Sequence, residues 1–269
     1  MKNEVVARKA QTRAMFDRIA PDYDVAGPGC FAHFGRRLVE VAGVGPGQRV
    51  LDVATGRGAA LFPAAASVGT GGEVIGIDLA EGMVRLANDE ATRRGLPAAV
   101  RVMDAERLDF PDATFNRLLC GFGVMFFPDL GRALGEFHRV LKPGGRLALS
   151  TWRVTQSDDL GAVLAQLGLA DMGDEVALRF KDPADVERPL LAAGFTDVRV
   201  QIDTATFRYA DVDQYWQNAR GTGLRRWLDA LDAVQVERVK AALAERLQPH
   251  RRPDGIYLTA AALLAVAGS

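Results

Sequence analysis

Cysteine is scarce in this chain, which has only Cys30 and Cys120 among its 269 residues. The two thiols are far apart in sequence and match no metal-ligand spacing, so we expect no bound metal. Radical iron–sulfur enzymes hold their cluster with closely spaced cysteines, and this class is therefore excluded. Few cysteines are also typical of a reducing compartment, which favours a cytoplasmic protein.

The sequence also lacks a long hydrophobic run and an excess of charge of either sign. It has no stretch of about 18 apolar residues, and residues 1–24 lack the apolar segment of a signal peptide. The formal net charge is -1, whereas nucleic-acid-binding proteins usually carry a basic excess. These absences predict no membrane span and a small-molecule partner rather than nucleic acid. They do not indicate an oligomeric state.

Short apolar runs alternate with longer helix-forming segments through most of the chain. Apolar strands that alternate with helices are typical of βαβ units, whose parallel sheet is covered on both faces. The predicted strands are 49–54, 73–77, 99–103, 117–120, 145–151, 195–202 and 255–265. The pattern predicts an α/β protein with a seven-stranded, mostly parallel sheet.

Helix-forming segments flank this predicted core. We predict four units: an N-terminal helical flap at 1–46, a core at 47–210, a helical cap at 211–252 and the last strand of the core at 253–269. In the cap, Val236, Val239, Leu243 and Leu247 have the spacing of one apolar helix face. The cap is therefore expected to be inserted before the last strand and to pack over the strand ends.

The first predicted strand ends in a glycine-containing turn, V-L-D-V-A-T-G-R-G, at residues 50–58. Glycine lets the backbone approach a ligand and adopt positive φ, and the N–H groups of the following helix favour polar or negatively charged ligand groups. Gly56 and Gly58 begin the G-x-G-x-x-G/A turn of dinucleotide-binding proteins, but Leu61 occupies its third position. The turn therefore disfavours an NAD-dependent oxidoreductase, which stays open as an alternative.

Acidic residues follow the next two strands in the same way. Asp78, about 20 residues after Gly58, is placed to accept hydrogen bonds from both hydroxyls of a ribose. Its alternative role is the N-cap of a helix, since Glu81 lies three residues later. Asp104 follows the third strand, where a carboxylate can accept a bond from an adenine amino group. Because Asp52, Asp78 and Asp104 lie at one sheet edge, they favour a nucleoside site there.

Five stretches of the chain carry motifs that are specific as a set. They are MFDRIAPDYD at 15–24, VLDVATGRG at 50–58, VIGIDLAEGM at 74–83, MDAERLDFPDATF at 103–115 and VLKPGGRLALS at 140–150. In this order they resemble the class I S-adenosylmethionine-dependent methyltransferases, and most of all the branch with menaquinone and ubiquinone C-methyltransferases and bacterial natural-product methyltransferases. The resemblance implies a Rossmann-like fold with helices on both faces and S-adenosyl-L-methionine as the cofactor.

The resemblance also implies roles for particular residues. Those implied to surround the methionine part of the cofactor are Asp52, Thr55, Gly56 and Gly58. Asp78 is implied to bind the ribose of the cofactor, Leu79 and Met83 to lie beside its adenosine, and Asp104 and Ala105 to contact its adenine. The carbonyl oxygen of Cys120 is implied to contact the amino group of the cofactor, and Tyr23 to belong to a flap over the site. Ala54, where the family often has glycine, and the bulky Arg57 depart from the pattern and leave the turn geometry open.

The expected reaction is methyl transfer to a small, largely apolar acceptor by in-line displacement. The sequence lacks the N/D-P-P-Y/F motif after the fourth strand, which disfavours the amino groups of nucleobases and glutamine as acceptors. His33 is the candidate general base, while a structural role for this histidine and a reaction without a base both stay open. A protein of this fold that does not methylate, such as a cyclase, is the other alternative.

Overall fold

The computed structural model describes residues 2–153, 159–169 and 180–269, which form a central sheet with helices on both faces. The strands are β1 Arg49–Val53, β2 Glu73–Asp78, β3 Ala98–Val102, β4 Phe115–Gly121, β5 Leu141–Trp152, β6 Thr196–Tyr209, β7 Arg251–Arg252 and β8 Gly255–Gly268. Their order is β3-β2-β1-β4-β5-β8-β6, and the two-residue β7 pairs with β8 alone. Strands β1 to β5 are parallel, whereas β8 is antiparallel to β5 and β6. The predicted mostly parallel α/β sheet is confirmed.

Helices cover both faces of the sheet because successive strand residues, whose side chains point to opposite faces, are both apolar. The helices are α1 Lys2–Ile19, α2 Cys30–Ala42, α3 Leu61–Val68, α4 Glu81–Arg94, α5 Leu130–Val140, α6 Asp159–Gln166, α7 Pro183–Ala192, α8 Val212–Arg220, α9 Arg225–Leu228 and α10 Ala233–Arg246. On β1, Val50 joins the apolar cluster under α2, α3 and α4, whereas Leu51 joins the cluster under α5 and α7. A strand buried on both faces has a continuous apolar sequence, which is why β1 could be predicted. Among the described residues, no helix is both long and apolar enough to cross a bilayer.

A third apolar cluster joins α6, α8, α9 and α10 to the ends of β6 and β8. Leu164, Trp216 and Leu243 pack there with Tyr209 and Ile256, which are paired across the two strands. The helical cap predicted at 211–252 thus contains three helices, α8, α9 and α10. The Asp211 and Asp232 side chains start α8 and α10 by accepting bonds from backbone N–H groups three residues later.

The antiparallel strands β6 and β8 are longer than the sequence predicted. The predicted strand 195–202 continues to Tyr209, and the predicted strand 255–265 continues to Gly268. Asp203 disfavours a strand, but its carboxylate accepts a 2.9 Å bond from Arg37 Nε on α2. Held by this long-range contact and by their mutual pairing, β6 and β8 extend from the sheet to the third apolar cluster.

Candidate functional site

The carboxyl ends of β1, β2 and β4 meet at one edge of the sheet and form a crevice. The strand order reverses between β1 and β4, and open α/β sheets bind ligands at such a switch point. Two adjoining cavities make up the crevice and share Tyr23, Ala54, Gly56, Gly121 and Phe122 as wall residues. The first cavity encloses about 770 Å³, a volume that includes space open to solvent.

The residues predicted to hold a nucleoside cofactor are brought together in this crevice. The first cavity is lined by Tyr23, Gly56, Asp78, Leu79, Met83, Asp104 and Ala105, and the second by Tyr23, Asp52, Thr55, Gly56 and Gly58. Cys120 lines neither cavity, because its side chain is fully buried at the end of β4. Burial also raises the pKa of this thiol, so the group stays neutral.

Asp78 joins the end of β2 to the glycine turn. Its Oδ2 accepts a 2.9 Å hydrogen bond from Gly56 N–H, and its Oδ1 accepts a 2.9 Å bond from Ala80 N–H. The N-cap residue of α4 is Ala80, so the alternative role of Asp78 as a helix cap is wrong. Each carboxylate oxygen has about two acceptor sites, and one on each remains for the two hydroxyls of a ribose. Burial raises the pKa of Asp78.

The glycine turn follows the predicted pattern with one strained position. Gly56 and Gly58 have φ of 54° and 89°, in the left-handed region that glycine adopts readily. Ala54 also has φ of 54°, which costs an alanine free energy. A Cβ on Gly123 would lie 2.6 Å from the Ala54 Cβ, so the glycine across the crevice makes room for this methyl group. The departure at Ala54 is thus accommodated without opening the turn.

Asp52 lies beneath the turn and is 1% exposed. Its Oδ2 accepts a 2.6 Å hydrogen bond from Thr55 Oγ1, which ties the end of β1 to the turn. Burial raises the pKa of Asp52 to about 7, and the nearby carboxylate of Asp78 adds to this rise, while the bond from Thr55 opposes it. The carboxyl group is therefore half-protonated near neutral pH.

We expect Asp52→Asn to gain stability relative to wild type as the pH rises. In the folded protein the carboxyl ionises near pH 7, but in the unfolded chain it ionises near its ordinary 3.8. Ionisation therefore favours the unfolded chain, and wild-type stability falls as the pH rises through this window. The asparagine does not titrate and still accepts the Thr55 bond. Between pH 6 and pH 8 the difference in free energy of unfolding should grow by about 1 kcal/mol in urea titrations; a difference that is constant with pH would contradict the raised pKa.

The first cavity is closed at Asp104 by a contact from α1 that the sequence did not predict. Asp104 Oδ2 accepts a 2.7 Å hydrogen bond from Lys9 Nζ, and Asp104 Oδ1 accepts a 2.9 Å bond from Glu106 N–H. Lys9 also pairs with Glu106 at 2.5 Å. No local pattern around Lys9 indicates this role, because the contact depends on how α1 packs against the core.

The predicted general base lies away from the crevice. The His33 ring packs edge-on against Phe34 and Phe207, at centroid distances of 5.1 and 5.7 Å, and lines neither cavity. His33 is therefore not placed among the wall residues of the crevice, and its role as the general base stays a prediction. Asp24, which was not predicted as a site residue, lies in the wall of the second cavity. The available signal was its position as the last residue of the motif at 15–24.

Known proteins resemble this chain over the same elements. Residues 50–145 match the family described as Methyltransferase domain. Aklanonic acid methyltransferase DauC of Streptomyces sp. (strain C5) is 44% identical over 144 residues, 53% of this chain and 66% of that protein. Nocamycin O-methyltransferase of Saccharothrix syringae is 34% identical over 263 residues, 91% of this chain and 94% of that protein. The crystal structure of YcgJ from Bacillus subtilis has the same fold, with a TM-score of 0.61 at 21% identity over 88% of this chain and 98% of that one.

The fold and the crevice define an α/β protein with a cavity at the switch point of its sheet, where open α/β sheets bind ligands. The relatives then identify the family: the chain belongs to the S-adenosylmethionine-dependent methyltransferases. The expected family, fold and cofactor are confirmed, and the NAD-dependent alternative is not favoured. The crevice fits this cofactor, since Asp78 retains acceptor sites for a diol and the side-chain-free Gly56 leaves the turn open to a ligand.

Proposed function

We propose that this enzyme methylates a small, largely apolar and planar acceptor. The observation that carries the proposal is an aromatic wall beside the glycine turn. The ring of Tyr23 stacks on Phe31 at 5.1 Å, Phe31 meets Phe122 edge-on at 5.6 Å, and Phe122 stacks on Trp152 at 4.1 Å. Such rings favour a flat, apolar ligand. The names of the two relatives, aklanonic acid methyltransferase and nocamycin O-methyltransferase, support a natural-product substrate.

We further propose that the crevice residues hold the cofactor as the resemblance implied. Asp78 binds the ribose, Leu79 and Met83 pack beside the adenosine, and Asp104 and Ala105 contact the adenine. Asp52, Thr55, Gly56 and Gly58 surround the methionine part, the Cys120 carbonyl oxygen accepts from its amino group, and Tyr23 covers it. The cofactor supplies a methyl group already activated by a positively charged sulfur.

The protein's own contribution is orientation and the exclusion of water. Holding two reactants in line can lower a barrier by about 7–11 kcal/mol. We propose that the flap at 1–46 and the cap at 211–252 enclose the reacting atoms, with the core at 47–210 and the last strand at 253–269 beneath them. The ion pair of Arg225 Nη1 with Asp22 Oδ2, at 2.7 Å, supports this arrangement because it joins cap to flap.

The proposed partner is a small molecule rather than nucleic acid, and the proposed location is the cytoplasm. The net charge of -1 supports the first point, because phosphate backbones attract basic surfaces. The second is supported by Cys30 and Cys120, which are both free thiols.

Transfer of a labelled methyl group tests this function. The purified chain is incubated with S-adenosyl-[methyl-¹⁴C]methionine and either aklanonic acid or a set of planar phenols, naphthols and hydroquinones, with tRNA and histones as macromolecular acceptors. We expect label in an organic-soluble product and none in the macromolecules, together with binding of S-adenosylhomocysteine but not NADH. Label that enters only tRNA or histone would overturn the proposal, and so would rearrangement of an acceptor without label.

A further inference from the structure

Asp24 is a carboxylate whose environment is not explained by folding alone. It follows Tyr23 in the turn between α1 and α2, and its φ of 56° lies in the left-handed region. Its Oδ1 is buried and has no hydrogen-bond partner. A buried acceptor without a donor costs about 1–3 kcal/mol, so its retention requires a reason. Asp24 also lies in the wall of the second cavity, with Asp52, Gly56 and Phe31.

The cap brings polar groups to the same place. A Cβ on Gly27 would lie 2.4 Å from Asn218 Oδ1 on α8 and 3.0 Å from Asp24 Oδ1, so both oxygens crowd against this glycine. Asn218 Nδ2 donates a long, 3.3 Å bond to the hydroxyl of Tyr209 at the end of β6. Rotating the amide by half a turn presents its nitrogen toward Asp24 and its oxygen toward the Tyr209 hydroxyl. Asn218 can therefore serve either protonation state of Asp24.

The groups that face Asp24 set its charge. Burial raises the pKa of Asp24 to about 6, and the guanidinium of Arg57 opposes the rise. Arg57 is held in place by bonds from Nη1 to the carbonyl oxygens of Tyr23 and Pro21, at 3.1 and 3.3 Å. The other titratable groups nearby are neutral, because burial raises the pKa of Tyr23, of Cys30 (to about 12) and of Tyr209.

We propose that Asp24 is the catalytic residue that accepts the acceptor's proton, and that the acceptor is a phenol or an enol. The inference rests on the proposed methyl transfer and names the substrate class of that site. The hydroxyl proton of the acceptor passes to the Asp24 carboxylate, and the oxygen's electron pair forms the new bond to the methyl carbon. The bond between that carbon and sulfur breaks, and its electron pair stays on sulfur, which becomes neutral. Asn218 and Tyr209 are positioning residues. The Asn218 side chain hydrogen-bonds the protonated carboxyl, and Tyr209 holds Asn218 in place.

The Asp24→Asn variant tests this role with little disturbance of the fold. Asparagine has nearly the same shape as aspartate and tolerates left-handed backbone equally well. We expect the dissociation constant of S-adenosylhomocysteine, measured by calorimetry, to stay within about twofold, because Asp24 holds the acceptor rather than the cofactor. With the phenol or enol that wild type methylates fastest, kcat should fall by about 10²–10⁴-fold. The acid limb of the wild-type kcat/KM profile, near pH 6, should vanish in the variant.

The matched control is Asp89→Asn, the same chemical change at an exposed carboxylate on α4, which should leave all these quantities unchanged. A readout without any acceptor is the ¹³C NMR titration of protein labelled at aspartate carboxyls. One signal should titrate near pH 6 and be missing from Asp24→Asn; its absence from wild type would overturn the inference. A variant kcat within threefold of wild type, or loss of S-adenosylhomocysteine binding, would overturn it as well.

Failure of the proposed function gives a different pattern. Wild type would then transfer label to no acceptor of any kind, whatever residue stands at position 24. If wild type methylates only amines or thioethers, the methyl transfer stands but the assignment of Asp24 falls, because such acceptors need no base at this position.

Discussion

Replacing Asp78 with alanine should raise the dissociation constant of S-adenosylhomocysteine by roughly 10- to 150-fold, or about 1.5–3 kcal/mol. Two effects contribute to this loss. The diol of the ribose loses a charged acceptor, and the Gly56 and Ala80 N–H groups lose the carboxylate that now accepts from both of them at 2.9 Å. Isothermal calorimetry on the purified variant measures the change.

The control for this experiment is Asp89→Ala, which removes an exposed carboxylate from the same βα unit and should leave affinity unchanged. The Asp78→Asn variant refines the result. An amide presents only one oxygen, so it can satisfy Gly56 or Ala80 but not both. We expect Asp78→Asn to weaken binding nearly as much as Asp78→Ala. Wild-type affinity in both variants would refute the ribose assignment, and loss of fold, checked by circular dichroism, would show a purely structural role.

The parts of the fold that the sequence predicted are those decided by short-range patterns. β1 and β2 are apolar on both faces; β1 is followed by the glycine turn and β2 ends at Asp78, so both strands and their carboxyl ends could be predicted. The extension of β6 beyond Ile202 could not be predicted from the sequence, because Asp203 disfavours a strand. Its carboxylate is accommodated by a hydrogen bond from Arg37 on α2. A contact between residues so distant in sequence leaves no periodic signal.

The same distinction between short-range patterns and long-range contacts applies to the residues of the crevice. Asp78 and Gly56 were predicted because their positions follow from where two strands end. Asp24 and Lys9 were not singled out, because their places depend on how the N-terminal segment folds back over the sheet edge. His33 was predicted as the base from its residue type, and its ring packs edge-on against Phe34 and Phe207.

Substituting Gly35 with alanine should destabilise the protein by about 2–3 kcal/mol. Gly35 lies within α2, where intrinsic propensity alone favours alanine by about 1 kcal/mol. A Cβ at this position, however, would lie 2.2 Å from the backbone oxygen of Ala59 and 2.5 Å from its carbonyl carbon. Because backbone cannot rotate away, α2 must move off the segment that follows the glycine turn. We therefore expect a lower urea midpoint and weaker S-adenosylhomocysteine binding together.

The control is the same substitution at Gly135, which also lies within a helix, α5, but is exposed. A Cβ on Gly135 would meet nothing within 4 Å, so helix propensity acts alone and Gly135→Ala should stabilise the protein by about 0.5–1 kcal/mol. The two variants are thus expected to shift the midpoint in opposite directions. If Gly35→Ala were also stabilising, α2 could not lie as close to the turn as the structure places it. The flap and the glycine turn would then be independent, and the crevice would lose the support that α2 provides.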